Sequence, residues 1–369
     1  MPGRPAQRVT MQQVAAELGV SAKTVSNAYN RPDQLSPDLR ERVLAAADRL
    51  GYPGPDPVAA GLRRGQVGAI GVAYDNGLSY AFADPVSVQL LTGISAVAEP
   101  AGAGLLLIPG SADPRRRVAA VTGALVDALV VSSLADDDPL LSAAITRRLP
   151  IAVIDQPSPA RLAELGAPDT SWVGIDDRAA AEAVCAHLLD LGHRRLSVVS
   201  FGMHREPIER GLVDEAAQRS ATYSVTRDRL AGYRAAAVRA GIDWSTVPVF
   251  HGADSTPAEG AAGAAAVLAT EPRPTAVICL SDRLAEGALQ VCADRGLAVP
   301  ADVSVVGFDD ATTAAGLGLT TVAQDARGKG EFAATQLLGA TGQRPAGPRR
   351  LATRLVVRGS SGRVAPEGA

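Results

Sequence analysis

Residues 10–30 read TMQQVAAELGVSAKTVSNAYN, and their spacing decides how the chain begins to fold. Thr10 with Gln13 three residues on has the capping-box spacing. The hydroxyl accepts from an orphan amide of the first helical turn while the glutamine side chain reaches back. Val14, Ala15 and Leu18 follow as an apolar stripe at helical period, and Gly19 stands where a left-handed residue closes a helix. Ser21 is placed to cap a second helix over 22–29, with Val25 and Ala28 facing inward. Ala22, Lys23, Ser26 and Asn27 then point outward near its start. A helix–turn–helix reads DNA with those positions, because the N-terminal end of its second helix enters the major groove. With the flanking Thr10, Ser21, Thr24 and Asn30 they form the candidate DNA-contacting set. Taken alone, the pattern also fits any helical hairpin on a protein surface.

Working outward, Ser36 followed by Pro37 marks the start of a third helix, and Gly51 its end. Leu39, Val43, Ala46, Ala47 and Leu50 share one face of it, so three short helices are expected around Val14, Leu18, Val25, Val43 and Leu50. Residues 52–56 are a proline-rich connector, and Asp56 or Pro57 can start a short helix over 58–64.

The run GVSAKTVSNAYN, then RVLAAADRLGY and the second short helix, closely resembles the headpiece and hinge of the LacI/GalR family of bacterial transcription regulators. The resemblance extends, with gaps, from Val9 to about Arg358. It implies that the short helix is a hinge pairing with its partner's in the DNA minor groove. Leu62 stands where the family places a leucine that wedges between base pairs, an apolar intrusion that unstacks a step and kinks the duplex. Family hinges usually carry Arg-Ser before that leucine, whereas this chain has Ala60-Gly61. Glycine costs about 1 kcal/mol of helix propensity, so this hinge is expected to order only on DNA.

At 369 residues the chain exceeds what one core usually holds. No apolar run is long enough to span a bilayer, and residues 1–20 contain no signal-peptide apolar region, so no membrane association and a cytoplasmic location are expected. Cys185, Cys279 and Cys292 are isolated and set in apolar patterns, as small core residues in a reducing compartment are. Residues 1–65 carry nine Lys/Arg against six acids, a balance of +3; the whole chain is at −3, so the remainder is at −6. A basic head on an acidic body suits a head that meets phosphates.

From Val67 apolar strands alternate with helices. Strand-like runs are 69–73, 105–108, 128–131, 151–154, 172–175, 196–200, 247–250, 276–280 and 303–307. Short, fully apolar strands between helices imply parallel sheets covered on both faces. Two doubly wound lobes are expected, resembling the periplasmic-binding-protein fold that members of the family carry. The expected fold is therefore α plus α/β: a helix–turn–helix headpiece and hinge over 8–65, then a core over 66–369. By the resemblance the chain crosses between lobes near Ser171, Gln324 and Arg350, giving an N-lobe of about 67–171 plus 325–349 and a C-lobe of about 172–324 plus 350–369.

Open α/β sheets bind ligands beyond the carboxyl ends of their strands. That rule selects Asp155, Asp176, Ser281, Asp282, Asp309 and Asp310, although Asp176 and Asp282 fit helix caps equally well. The resemblance adds Arg229 in RLAGY, Asp309 in GFDD, Asp155, and the loop 80–84 with Asp84 in place of the family's Asn. Phe82 and Gln324 complete the candidate effector set of Phe82, Asp84, Asp155, Arg229, Ser281, Asp282, Asp309 and Gln324. Where the family often has a stacking aromatic this chain has Ser255, and Tyr80 or Phe82 could supply one from the other lobe. Residues 201–226 exceed the family length, as a loop at a pocket mouth or a surface insertion. His193 follows a helix-ending glycine, where a basic residue offsets exposed carbonyls.

These features favour a DNA-binding regulator, with a repressor the expected type, acting as a homodimer on a pseudo-palindromic double-stranded operator and answering to a small-molecule effector, a carbohydrate. A solute-binding protein of the same core fold is the alternative; it would leave the head unexplained. An oxidoreductase would want G-x-G-x-x-G after the first strand, where the chain has AYDNGLSYAFADP. No metal-ligand spacing and no nucleophile elbow appear, so neither cofactor nor enzymatic activity is expected.

Overall fold

The computed structural model describes residues 9–55, 67–111, 113–206, 208–339 and 347–364. The expected hinge helix and Leu62 lie outside the described residues. The chain divides into two compact units, Met1–Gly68 and Ala69–Ala369.

In the first unit, α1 (Met11–Leu18), α2 (Ala22–Asn30) and α3 (Pro37–Leu50) form where the caps place them. Both halves of the Thr10–Gln13 capping box are made, and Gly19 closes α1 at φ 65°. Ser21 accepts from the Thr24 amide at 3.1 Å, and Ser36 from that of Leu39 at 3.3 Å. Gly51 ends α3 at φ 70°, a conformation that costs glycine least. Val14, Val25, Ala28, Val43 and Ala46 are wholly buried, while Leu18 and Leu50, expected in the core, are only partly covered at its edge.

The second unit contains a six-stranded sheet in the order β12-β5-β4-β3-β1-β2 and a five-stranded one in the order β10-β9-β6-β8-β7. Here β1 is Ala69–Tyr74, β2 Gly104–Ile108, β3 Ala128–Ser132, β4 Ile151–Ile154 and β5 Ser171–Gly174. In the second sheet β6 is Leu196–Ser200, β7 Gly211–Leu212, β8 Val249–His251, β9 Ala276–Cys279 and β10 Ser304–Val306. Thr321–Ala323 (β11), Arg349–Arg350 (β12) and Arg354–Val356 (β13) follow, with β11 and β13 paired antiparallel. Every neighbouring pair in the first sheet is parallel, and in the second only β7 runs against β8. All nine expected strands form; β7, β11, β12 and β13 are additional. The run 172–175, assigned by sequence to the C-lobe, pairs with β4 instead. Trp172 is buried in the first lobe, where its indole N–H donates to the Asp155 carbonyl at 3.1 Å. The chain therefore leaves that sheet only after Gly174.

Glycines inside helices set how closely the layers approach. On helix Pro85–Ala98, a Cβ added at Gly93 would overlap the Arg327 carbonyl; one added at Gly330, on helix Ala326–Gly339, would overlap that of Leu90. Gly260 and Gly287 make the same reciprocal notch between helices Pro257–Val267 and Asp282–Asp294. Gly93→Ala gains about 1 kcal/mol of helix propensity but forces two backbones apart, an overpacking that costs about 1–3 kcal/mol. A net loss in melting temperature is expected; a gain would mean that the helices part freely.

Candidate functional site

The carboxyl ends of both sheets open onto one cleft of about 360 Å³ within the second unit. Four residues at these ends take positive φ: Ser133 at 60°, Asp155 at 62°, Asp309 at 118° and Asp310 at 52°. Such backbone is rare outside glycine and costs energy that the surrounding packing must hold. The first three line the cleft, whereas Asp310 pairs with Arg358 at 2.6 Å.

Six of the eight candidate effector residues line the cleft: Asp84, Asp155, Arg229, Ser281, Asp309 and Gln324. Phe82 does not. It lies on the outer side of helix Leu78–Ala83 and is 59% exposed, while Tyr80 on the same helix faces inward. Asp282 does not either. It is buried behind the wall, accepting from the Thr321 hydroxyl at 2.5 Å and the Ala311 amide at 2.7 Å. Asp176 caps the following helix through the Ala179 amide at 3.0 Å. Tyr80 supplies the aromatic face opposite Ser255, its hydroxyl 3.5 Å from the Ser255 carbonyl.

Arg229 is nearly enclosed. Its Nε donates to Asp177 at 2.8 Å, one Nη to the Leu280 carbonyl at 2.5 Å, and its guanidinium stacks 3.5 Å above the Phe308 ring. Asp309 lies 3.8 Å away and also accepts from Gln324 at 2.6 Å. One guanidinium thus faces two buried carboxylates, and burial pushes both Asp177 and Asp309 above the usual carboxylate range. On the other side Lys329, buried on its helix, donates to Asp155 at 2.6 Å and also to Gln324.

Sequence reasoning passed over a second set. Asp75 and Asn76 follow β1 directly, so the strand-end rule that chose Asp155 also applied to them. Arg117 donates to Asp75 at 2.7 Å and also to Asp138. Tyr223 bonds Asp75 from the opposite lobe, Asn76 donates to Asp254 at 3.2 Å, and the Val225 amide donates to Gln156 at 3.0 Å. The described residues of 201–226 therefore reach the site. Phe201, His204, Arg205 and Tyr223 line the cleft, and the Asp136 amide donates to the Thr222 carbonyl at 2.9 Å. No periodicity signals this, because the segment is fixed by contacts distant in sequence. His193 does not offset helix carbonyls: its ring bonds the Thr275 hydroxyl and the Gly362 carbonyl, and burial lowers its pKa.

Burial raises the Asp282 carboxyl to about 6, against opposing hydrogen bonds from Thr321 and Ala311. Between about 4 and about 6 the folded chain keeps a proton that the unfolded chain releases. This group therefore favours folding below its unfolded pKa, and the benefit disappears as pH rises through the folded pKa. An Asp282→Asn protein should gain on wild type in melting temperature from pH 4 to 6 and hold a constant gap above that. A gap that is flat throughout would mean that Asp282 ionises normally.

In the first unit, Val25 and Ala28 of α2 face the core, and Lys23 is exposed. Ser21 and Thr24 bond each other at 2.9 Å, Asn30 bonds Ser26, and Asn27 Nδ2 donates to Gln34 at 3.2 Å. Thr10 spends its hydroxyl on α1. Among the described residues no group of three or more His, Cys, Asp or Glu is placed to hold a metal, and no helix is long and apolar enough to cross a membrane. All three cysteines are buried and free.

Two family models match the chain: bacterial regulatory proteins of the lacI family over residues 10–54, and a periplasmic binding protein-like domain over 185–361. An HTH-type transcriptional regulator of Mycobacterium tuberculosis is 43% identical over 340 residues, 92% of each chain. A transcriptional regulator CelR–cellobiose complex is 28% identical with a TM-score of 0.67, over 96% of this chain and 100% of that one. The Lac repressor dimer bound to operator is 26% identical with a TM-score of 0.75, again over 96% and 100%.

Proposed function

Because the chain belongs to the LacI family of bacterial regulatory proteins, we infer that its regulation of transcription runs through the two sites just described. It is a repressor that binds a pseudo-palindromic operator as a homodimer. The outward residues of α2 read base edges, and Leu62, outside the described residues, wedges into the minor groove between half-sites. The cleft of the second unit takes a carbohydrate, whose binding changes operator affinity by a coupling of about 1–3 kcal/mol. The protein acts in the cytoplasm and performs no catalysis.

One observation carries this reading: a helix–turn–helix with its recognition end exposed is joined to a unit whose polar cleft is built from strand ends of two sheets. Carboxylates, amides and hydroxyls converging on a partly apolar cavity suit a polyol, and the CelR relative was solved with cellobiose. A solute-binding protein has no use for the first unit. Selection from a random DNA pool, repeated with and without a sugar panel, tests the proposal. An inverted-repeat motif whose occupancy one sugar alters is expected. A single half-site, or an occupancy that no sugar changes, would remove the dimer or the effector part respectively.

A further inference from the structure

Polar contacts between the two lobes of the second unit converge on one short stretch, residues 221–227. These are the lead-in and first turn of helix Ser224–Arg239, and they are fixed firmly to their own lobe. Met203 and Ala221 are buried in its apolar core, and the Thr222 amide donates to the Met203 carbonyl at 2.8 Å. The Thr226 hydroxyl donates to the Gly202 carbonyl at 2.9 Å, and the Arg205 amide to the Thr222 hydroxyl at 3.2 Å.

From that footing the stretch reaches the ends of three strands in the other lobe. After β3 the chain carries three consecutive acids, Asp136, Asp137 and Asp138. Arg227 donates to the Asp136 carboxylate at 3.0 Å, and the Asp136 amide donates back to the Thr222 carbonyl at 2.9 Å. Arg205 Nε lies 3.7 Å from Asp137. After β1 Asp75 accepts from the Tyr223 hydroxyl, and after β4 the Gln156 side chain accepts from the Val225 amide at 3.0 Å.

The central pair is held ready on both sides. Arg227 also donates to the Ala221 carbonyl at 2.9 Å, while Arg161 Nε donates to the Asp136 carbonyl at 2.9 Å and steadies the acidic turn. Groups already oriented lose little freedom when they pair, and a hydrogen bond between opposite charges is stronger than a neutral one. The Arg227 and Asp136 side chains are 35% and 20% exposed, so the pair is partly shielded yet open to water on one side. Neither residue lines the cleft, whereas Arg205, Tyr223 and Val225 do. Each of these bonds joins two groups of the chain itself, so closure by them needs no third component.

We propose that residues 221–227 are a latch for the cleft. Arg227 on Asp136, Tyr223 on Asp75 and the two amide bonds hold the lobes together, and the cleft opens when this stretch releases the other lobe as one piece. The Arg227–Asp136 pair thereby helps to set the balance between open and closed lobes, and a compound entering the cleft acts on a balance that the chain has already biased. The inference does not depend on what the cleft binds.

Hydrogen exchange of the full chain, resolved to single amides, tests it. An amide hidden only in the closed form exchanges in proportion to the open population. The Asp136 and Val225 amides belong to different lobes, and each is bonded across the gap. Arg227→Gln should cost both the same factor in protection, about tenfold. Asp136→Asn should do likewise, and the double variant should lose little more than either single one, because the same pair is removed only once. Two amides bonded within a lobe serve as controls: Leu280 to the Val199 carbonyl at 3.0 Å and Leu129 to that of Pro150 at 2.9 Å. They should keep their wild-type protection. Loss of protection at Asp136 alone would overturn the proposal, since the acidic turn would then fray without holding the lobes. Unchanged protection in all variants, losses that multiply in the double variant, or equal losses at the control amides would overturn it as well; the last would make the pair a brace of the fold.

Discussion

Arg229→Ala should destabilise the second unit by about 3–5 kcal/mol, the cost of breaking a buried charge pair from one side. Two roles compete for this arginine: gripping the ligand with Asp309, or bracing the lobe. Both place it at the cleft floor, and it does line the cleft. Its donors, however, are largely spent. Nε serves Asp177 at 2.8 Å, one Nη serves the Leu280 carbonyl, and Phe308 covers the guanidinium face. Alanine would leave Asp177 and Asp309 buried without their cation, and the pair can escape only by taking up protons. The melting temperature of the ligand-free protein should fall by roughly 5–8 °C for a unit of this size, and fall further as pH rises above the carboxylate range. A variant that melts within a degree or two of wild type but no longer responds to its effector would reverse the assignment and give Arg229 to the ligand.

The sequence showed most where backbone chemistry is local. Thr10, Gly19, Ser21, Ser36 and Gly51 mark helix ends by their own side chains or their lack of one, and the helices begin and end there. The nine strands were visible because each is a short, mainly apolar run between helical patterns. The four additional strands have only two or three residues apiece, too few to show a period, and their pairing is decided by distant partners. Strand 172–175 was assigned to the wrong lobe because an apolar run does not name its sheet. That choice follows from the fit of Trp172 beneath Asp155. The same limit explains the site. Strand-end carboxylates could be chosen by rule, and six of the eight candidates do line the cleft. Whether a side chain at such an end faces the cleft or the interior is set by one turn of backbone, as Ser281 and Asp282 show side by side. The helix-notch glycines carry no signal at all in one sequence, because their significance lies in the backbones they touch.

Asn27→Arg should change which operator is preferred, by about 1–3 kcal/mol of discrimination at one base pair, or roughly five- to 150-fold. Asn27 lies on the part of α2 turned away from Val25 and Ala28, half-buried, with its amide held by Gln34 at 3.2 Å. A side chain fixed in that way presents one orientation to a base edge, and an asparagine amide matches the paired donor and acceptor of adenine. Members of the resembled family often have arginine there, whose fork matches the two acceptors of guanine. The substitution also frees Gln34 and adds one positive charge, so non-specific binding should strengthen slightly, with the salt slope steeper by no more than about one unit. These two effects separate cleanly. A change in phosphate attraction moves affinity for every sequence alike, whereas a change in base reading reorders sequences. Selection from a random pool with wild type and variant in parallel should return half-sites differing at a single position, adenine giving way to guanine. Recovery of one and the same motif from both proteins would show that Asn27 only orders Gln34, and would leave Lys23 and Ala22 as the base-reading residues of α2.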